Sequence, residues 1–517
     1  VLTGDTSLVG ATAAVVTARL GSVPGHRRHV TAAGILLALA ALLFLGNAAR
    51  TVAAPFGDSH DGRNAAVWAS GSNYLREEGP LGSRFGTRSP ENGVYANHPP
   101  LIYLETALTE TFGLGSTVAT RAPAWLGSLA VIALLAVLLN DRGLRPGSVA
   151  AAVALVVTTP MFLVYGTMLD TPVTSLPFGL GLMVLWGRAR ADRPVRPLAV
   201  FALAALAVLA GWQSLLLAAV LAGWATARLI THKDRRAVDA AFAVGALAGA
   251  AVLLGWLLWA FGGSLADLWH QLLFRTGRGD QSVPLVDLLR SQRRDMWTMF
   301  GLVAVVGVAG LGVALRDRRT RSLAVVALSV TLPYPLLFPA GAANHDYWNF
   351  WFVLPVALGL ATGGHWLVAT IAGVRRREAV LAVAGGLLAL VAAVGVVIRP
   401  PAAAWTIREG FRAGRVAEAA RLAPGQQTAW FAGAVGAPAT WWALAARRPA
   451  VRVQVDGLAA LAAERPDDMV LFGILRCLGG EPKVTYGLAP VADLARRPPE
   501  VTRCDGATGA ASLKGVA

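Results

Sequence analysis

AVDAAFAVGALAGAAVLLGWLLWAF, residues Ala237–Phe261, carries one charge in twenty-five positions and follows directly on Lys233-Asp234-Arg235-Arg236. A bilayer core needs about 20 consecutive apolar residues in a helix. A basic cluster beside such a run marks the cytoplasmic side. Runs of the same kind recur at Thr31–Asn47, Val149–Tyr165 and Ala379–Ile398. Over the 517 residues, 55% are hydrophobic and 15% charged, against roughly 25% charged in soluble proteins. These features predict an α-helical polytopic membrane protein, not a large globular core.

Six basic clusters separate the runs: Arg27-Arg28, Arg142 with Arg145, Arg188 to Arg196, Lys233 to Arg236, Arg316 to Arg321, and Arg375 to Arg377. All six can be cytoplasmic without conflict. About eleven transmembrane helices then fall near 31–50, 121–139, 148–166, 171–189, 197–211, 213–230, 237–261, 296–315, 321–338, 349–371 and 379–398. The net charge of +16 is accounted for by this topology, and nucleic-acid binding is set aside. The first thirty residues hold no signal-peptide core before the first run, which reads as an uncleaved helix. Residues 1–30 form a cytoplasmic segment and 31–399 a transmembrane domain. From 400 to 517, short strand-like stretches (Thr428–Phe431, Val451–Val455, Met469–Phe472, Val484–Tyr486) alternate with helix-like ones (Ala439–Arg447, Val491–Arg497). This predicts a small extracytoplasmic α/β domain. Both cysteines, Cys477 and Cys504, fall in it, where a disulfide could persist.

On that topology the polar stretches gather outside. The long first outer loop, 51–121, holds Asp58, His60, Asp61 and His98. Within it, Leu101–Val118 carries Glu105 and Glu110 and reads as a helix lying on or dipping into the surface. A short turn holds Asp170, a third loop holds Trp269, His270, Arg275 and Arg278, and a fourth holds Asn344-His345-Asp346-Tyr347-Trp348. A carboxylate such as Asp61 can serve as a base. Arginines and histidines can hold a phosphate, and an ionisable group at a membrane boundary such as Asp170 is often functional. Each has a plainer reading: a solvated loop carboxylate for Asp61, an exposed turn residue for Asp170, a helix start for His98-Pro99-Pro100, an amphipathic surface helix for Arg275 and Arg278, and an interfacial aromatic belt for Tyr347-Trp348. The His345–Asp346 pair could also bind a divalent cation, but two ligands do not define a metal site; Asp61 and Asp170 are further possible ligands.

The order of the motifs narrows the choice. His60-Asp61-Gly62, Asn73-Tyr74-Leu75-Arg76, Asn97-His98-Pro99-Pro100-Leu101, Arg121-Ala122-Pro123, Asp170, and His345-Asp346-Tyr347-Trp348 with Pro355 stand in the order found in the glycosyltransferase-C superfamily. Over residues 31–400 the chain most resembles the branch with protein O-mannosyltransferases and lipid A aminoarabinose transferases. That resemblance implies a polyprenyl-phosphate sugar donor, an acceptor that is a glycan, lipid or protein, and inverting transfer in a bacterial plasma membrane on the extracytoplasmic face. It implies Asp61 as base and Asp170 as the second acidic residue. Asp58, His60, His98, Arg275, Arg278, His345 and Tyr347 are then the substrate-binding candidates, and Mg or Mn is the candidate cation. Several relatives carry an Asp-Glu pair where this sequence has Asp61-Gly62, so the second carboxylate is absent or supplied by Asp58. The rival readings are a transporter or lipid flippase, with Gln213 and Glu105 as pathway residues, and a non-catalytic envelope scaffold.

Overall fold

The computed structural model describes residues 26–53, 56, 60–87, 94, 96, 98–113, 117–231, 236–276, 282–370, 384–390, 393–394, 423–426, 429–433, 450–453, 457–478, 481–497, 500–502 and 508–510. Up to Thr370 every regular element is helical. In chain order they are α1 (His26–Ala48), α2 (His60–Gly82), α3 (Leu101–Gly113), α4 (Thr117–Asn140), α5 (Pro146–Val157), α6 (Pro160–Tyr165), α7 (Thr171–Arg190), α8 (Pro197–Ala210), α9 (Trp212–Thr231), α10 (Arg236–Ala260), α11 (Leu265–Arg275), α12 (Leu285–Phe300), α13 (Leu302–Arg316), α14 (Arg321–Thr331), α15 (Pro333–Leu337), α16 (Pro339–Asn344), a 3-10 turn (Asp346–Phe352) and α17 (Val353–Thr370).

Among the described residues, four helices are long and apolar enough to cross a membrane: Thr117–Asn140, Trp212–Thr231, Ala237–Ala260 and Asp346–Thr370. The bent pair α12 and α13 is a fifth candidate. The molecule is a multi-pass membrane protein, and among the described residues several of the about eleven spans expected from hydropathy are divided into shorter helices. Proline and glycine account for much of the difference. The 148–166 stretch divides at Thr158-Thr159-Pro160 into α5 and α6, with Thr159 capping the second piece. The 321–338 stretch divides before Pro333, because a proline cannot donate to the helix ladder. The boundary at Gly211, between α8 and α9, lies where the sequence placed it. The stretch expected as 379–398 lies largely outside the described residues.

The 296–315 stretch breaks at Gly301, where the chain turns by 105° between α12 and α13. Gly301 has φ 56°, a left-handed backbone that glycine adopts without strain. The segment α12 thereby leaves the line of α13 and lies across the helix ends. It buries Leu288, Asp295, Met299 and Phe300 and exposes Arg290, Arg293, Arg294 and Trp297.

Bundle packing relies on small residues. On α13 and α17, Gly310 and Gly359 stand so close that a Cβ on Gly310 would collide with the Gly359 carbonyl, and one on Gly359 with the Gly307 carbonyl. Small residues at such crossings let membrane helices gain dispersion contacts that larger side chains would block.

Beyond residue 423 the chain alternates strands and helices: β1 (Ala429–Gly433), β2 (Ala450–Arg452), α18 (Leu458–Glu464), β3 (Met469–Leu478), β4 (Glu481–Pro490), α19 (Val491–Arg496), β5 (Glu500–Thr502) and β6 (Thr508–Ala510). Four strands form a sheet in the order β2-β1-β3-β4. The β1–β2 and β1–β3 pairs are parallel, and β3–β4 is antiparallel with Gly473 opposite Tyr486. Val470, Leu458, Val491 and Leu494 are buried in its core. The expected helix over 439–447 and Cys504 lie outside the described residues, and of Cys477 only the strand backbone is described.

Candidate active site

The site is assembled at the N-terminal end of α7. Asp170 is the N-cap of that helix, with extended backbone (φ −157°, ψ 159°), and its Oδ1 accepts from the Thr171 amide at 2.6 Å. N-capping of this kind satisfies one of the orphan amides of a helix start. The cap is built inside the protein: Asp170 is 2% exposed. Asn64 Nδ2, on α2, donates to Asp170 Oδ2 at 2.6 Å and lies 3.2 Å from the Tyr347 hydroxyl. The Tyr347 side chain also hydrogen-bonds Asp170. Thr171 Oγ1 lies 3.2 Å from His98 Nδ1. Three distant stretches, from the first loop, the α6–α7 turn and the 345–348 motif, thus meet on one carboxylate.

Burial opposes ionisation of Asp170, and the donors from Thr171, Asn64 and Tyr347 favour it; burial prevails and pushes the group up to about 6 from the ordinary carboxylate range. All of these partners can donate, so the network is matched to the ionised acid.

A second acidic centre stands beside the first. Tyr165 donates to Asp346 Oδ1 at 2.7 Å, and its ring lies 5.8 Å from that of Tyr347. Asp295 of α12 is buried, accepts from Arg294 Nε at 3.0 Å, and is raised by its desolvation and by the nearby Asp346. Ser291 and Gln292 fasten α12 to the 342–343 carbonyls at 3.3 and 2.8 Å. His345 packs against Tyr347 and Trp348, at 5.2 and 5.6 Å between ring centres. His98 packs against Trp68 at 5.5 Å.

Two other motifs of the sequence serve as fasteners. Arg76 pairs with buried Glu110 at 3.4 Å, and Thr120 donates to the same carboxylate at 2.6 Å. This joins α2, α3 and α4. Arg121 is fully buried, donates to the Val52 carbonyl at 3.3 Å and lies over the Phe56 ring at 5.3 Å. It thereby holds the strand of chain that leads into α2.

Of the residues expected from sequence, Asp170, His98, His345 and Tyr347 come together here. His60 and Asp61 open α2, with Asp61 three positions before Asn64. Their side chains, like that of Arg275 at the end of α11, lie outside the described residues, as do Asp58 and Arg278 entirely. Sequence reasoning missed Asn64, Tyr165, Thr171 and Asp295 as site residues and named Asp346 only as half of a His–Asp pair. Asn64, Tyr165 and Asp346 sat inside the stretches already singled out; Asp295 gave no signal, because its burial depends on the bend at Gly301.

Among the described residues, no three His, Cys, Asp or Glu side chains converge to hold a metal ion. Asp170 meanwhile has both oxygens engaged by Asn64 and Thr171. The described donors therefore do not fit a divalent cation, and no step is routed through one.

No family model and no curated protein matches the sequence. Among solved structures, the chain is similar to ArnT from Cupriavidus metallidurans in the apo state, with a TM-score of 0.53 and 15% identity over 89% of this chain and 98% of that one. The same protein bound to undecaprenyl phosphate gives 0.55 and 15%, over 85% and 92%. The Archaeoglobus fulgidus oligosaccharyltransferase in complex with Zn and sulfate gives 0.50 and 14%, over 85% and 68%. At these identities the likeness is one of fold.

Proposed function

We propose, from its glycosyltransferase-C fold, that this chain is a membrane glycosyltransferase moving one sugar from a polyprenyl-phosphate donor to an acceptor hydroxyl or amine on the extracytoplasmic side. The observation that carries the proposal is the buried Asp170 network, which ties Asn64, His98 and Tyr347 together at one end of the bundle. A lipid phosphate stays at the bilayer surface, so a site acting on it belongs at a helix end and not in mid-membrane. The fold shared with a protein crystallised with undecaprenyl phosphate supports the donor class.

In the proposed reaction the acceptor oxygen attacks C1 of the donor sugar while the C1–O bond to phosphate breaks. The electron pair of that bond leaves with polyprenyl phosphate, and the acceptor proton goes to Asp61. A single displacement inverts C1. Cationic groups at the outer end, with Arg275, Arg278 and His98 as candidates, take up the charge on the leaving phosphate. Asp170 acts as a positioning residue through Asn64, which stands one helical turn from Asp61. Of the two pathway residues of the transport reading, Gln213 is buried and donates to the Trp348 carbonyl at 3.4 Å.

The test is reconstitution in liposomes with a panel of polyprenyl-phosphate sugars, following release of free polyprenyl phosphate. Release with at least one donor, dependent on added acceptor, is the expected result. Movement of donor lipid between leaflets with every sugar bond intact would favour a flippase instead.

A further inference from the structure

At the end of the bundle away from Asp170, three arginines and two tryptophans are joined by cation–ring contacts. Arg142 lies over the Trp186 ring at 5.6 Å, Arg190 lies over Trp186 at 5.4 Å and over Trp224 at 5.0 Å, and Arg228 lies over Trp224 at 5.0 Å. The two indoles meet edge to face at 5.5 Å. The stack closes over the ends of three helices. Arg142 follows α4, Trp186 and Arg190 end α7, and Trp224 and Arg228 end α9. Because α7 has 20 residues, at 1.5 Å each the stack stands about 30 Å from Asp170.

The carboxylates nearby are already taken. Asp141 holds Arg188 at 2.7 Å and Arg193 at 2.6 Å, and Asp239 holds Arg228 at 3.2 Å. The guanidinium groups of Arg142 and Arg190 form no ion pair or hydrogen bond among the described residues. Arg142 Nη2 is buried without an acceptor, and so is Trp186 Nε1. Gly187 makes room for Arg142: a Cβ there would stand 2.5 Å from Nη2. A ring contact steadies a guanidinium but uses none of its five N–H donors. Two cations are thus held within 5.6 Å of the centre of one indole with donors to spare, and the carboxylate that acts on Arg142, Asp141, is shared with Arg188 and Arg193. Their height, at the ends of membrane-length helices, is that of lipid phosphates.

We propose that this stack is an anion site that binds a phosphate group, with half-buried Arg142, whose Nη2 is enclosed, as its inner donor and exposed Arg190 as its solvent-side cation. The phosphate could come from an anionic phospholipid headgroup of that leaflet or from solution, and in either case it would receive charge-assisted hydrogen bonds from both guanidiniums. Bound there, it would staple α4, α7 and α9 at the end remote from the site.

The full-length protein in detergent is tested by native mass spectrometry with dioleoylphosphatidylglycerol and, separately, with dioleoylglycerol, which lacks phosphate. Thermal shift with inorganic phosphate is the third arm. Retention of the phosphoglyceride, stabilisation by phosphate, or both, weakened about tenfold by Arg190→Gln and further by Arg142→Gln with Arg190→Gln, is expected. Arg318→Gln, in another basic loop, should bind as wild type. Binding of the phosphoglyceride alone identifies a lipid source, and binding of both ligands identifies the phosphate group itself. Arg190 is exposed, so its single replacement leaves folding intact. Equal retention of dioleoylglycerol, or unchanged binding by Arg190→Gln and the double variant, would overturn the proposal.

Discussion

At Asp170 a carboxylate is held where burial and hydrogen bonding pull against each other. Its proton affinity is raised to about 6, so a folded protein holds a proton there that the unfolded chain has already released. The sign is therefore opposite to that of a salt-bridged acid: the stability contributed by this group is full below about 3.8 and is lost as pH rises through about 6. Transfer runs the other way, because the network of donors serves the ionised form. Its rate should fall on acidification, with an acid limb near pH 6. Asn64→Leu removes one donor to Oδ2. It should move that limb upward by on the order of one pH unit, the equivalent of about 1.4 kcal/mol. A pH–rate profile of the variant superimposing on that of wild type would show that Asp170 is not the group titrating. The residue scale is also where sequence reading was sharpest and most incomplete. Asp170, His98, His345 and Tyr347 were visible as ionisable or aromatic groups at expected helix ends. Asn64 and Thr171 were not, because their role exists only in the contact each makes with a distant partner.

Among the elements, α12 departs furthest from the hydropathy reading. A 19-residue window cannot distinguish a span from an apolar helix joined to an amphipathic one, and Gly301 gave the only local sign of the 105° turn. Arg290, Arg293 and Trp297 share the exposed face of α12, and Leu302 begins the exposed apolar face of α13. This distribution of side chains predicts that α12 rests at the lipid–water interface. A nitroxide placed at position 297, with the native cysteines replaced by serine, should report interfacial depth in liposomes; full exposure to an aqueous relaxation agent would contradict this placement. The α13–α17 crossing makes a separate claim. Gly359→Val puts a branched side chain against the backbone of Gly307 and should destabilise the fold by about 1–3 kcal/mol, read as a lower midpoint in thermal unfolding. An unchanged midpoint would mean that the two helices can separate at no cost. Helix positions themselves were largely legible, since apolar composition marks them, and so was the break at Gly211; the breaks at Pro160 and Pro333 were legible only as residues, not as geometry.

For the whole molecule, the sequence supplies two opposed ends. One carries the Asp170 network and the other the Arg–Trp stack, on the same α7 helix. On the topology proposed from the positive-inside pattern, the stack would face the cytoplasm and the network the outside. Accessibility tags at Arg142 and Arg318 should report cytoplasm, and a tag after Ala517 the outside. A cytoplasmic report after Ala517 would turn the orientation over. The central claim is narrower: a carboxylate in the first outer loop takes the acceptor proton during sugar transfer. It is tested most directly by comparing Asp61→Asn with wild type in donor-dependent transfer, with donor binding measured alongside. The exchange keeps shape and removes the basic oxygen. Transfer should drop about 10²–10⁴-fold, the usual contribution of general-base catalysis, while donor binding and thermal stability persist. Near-normal transfer by Asp61→Asn, with loss in Asp58→Asn, would move the base by three residues, and near-normal transfer by both variants would contradict the account.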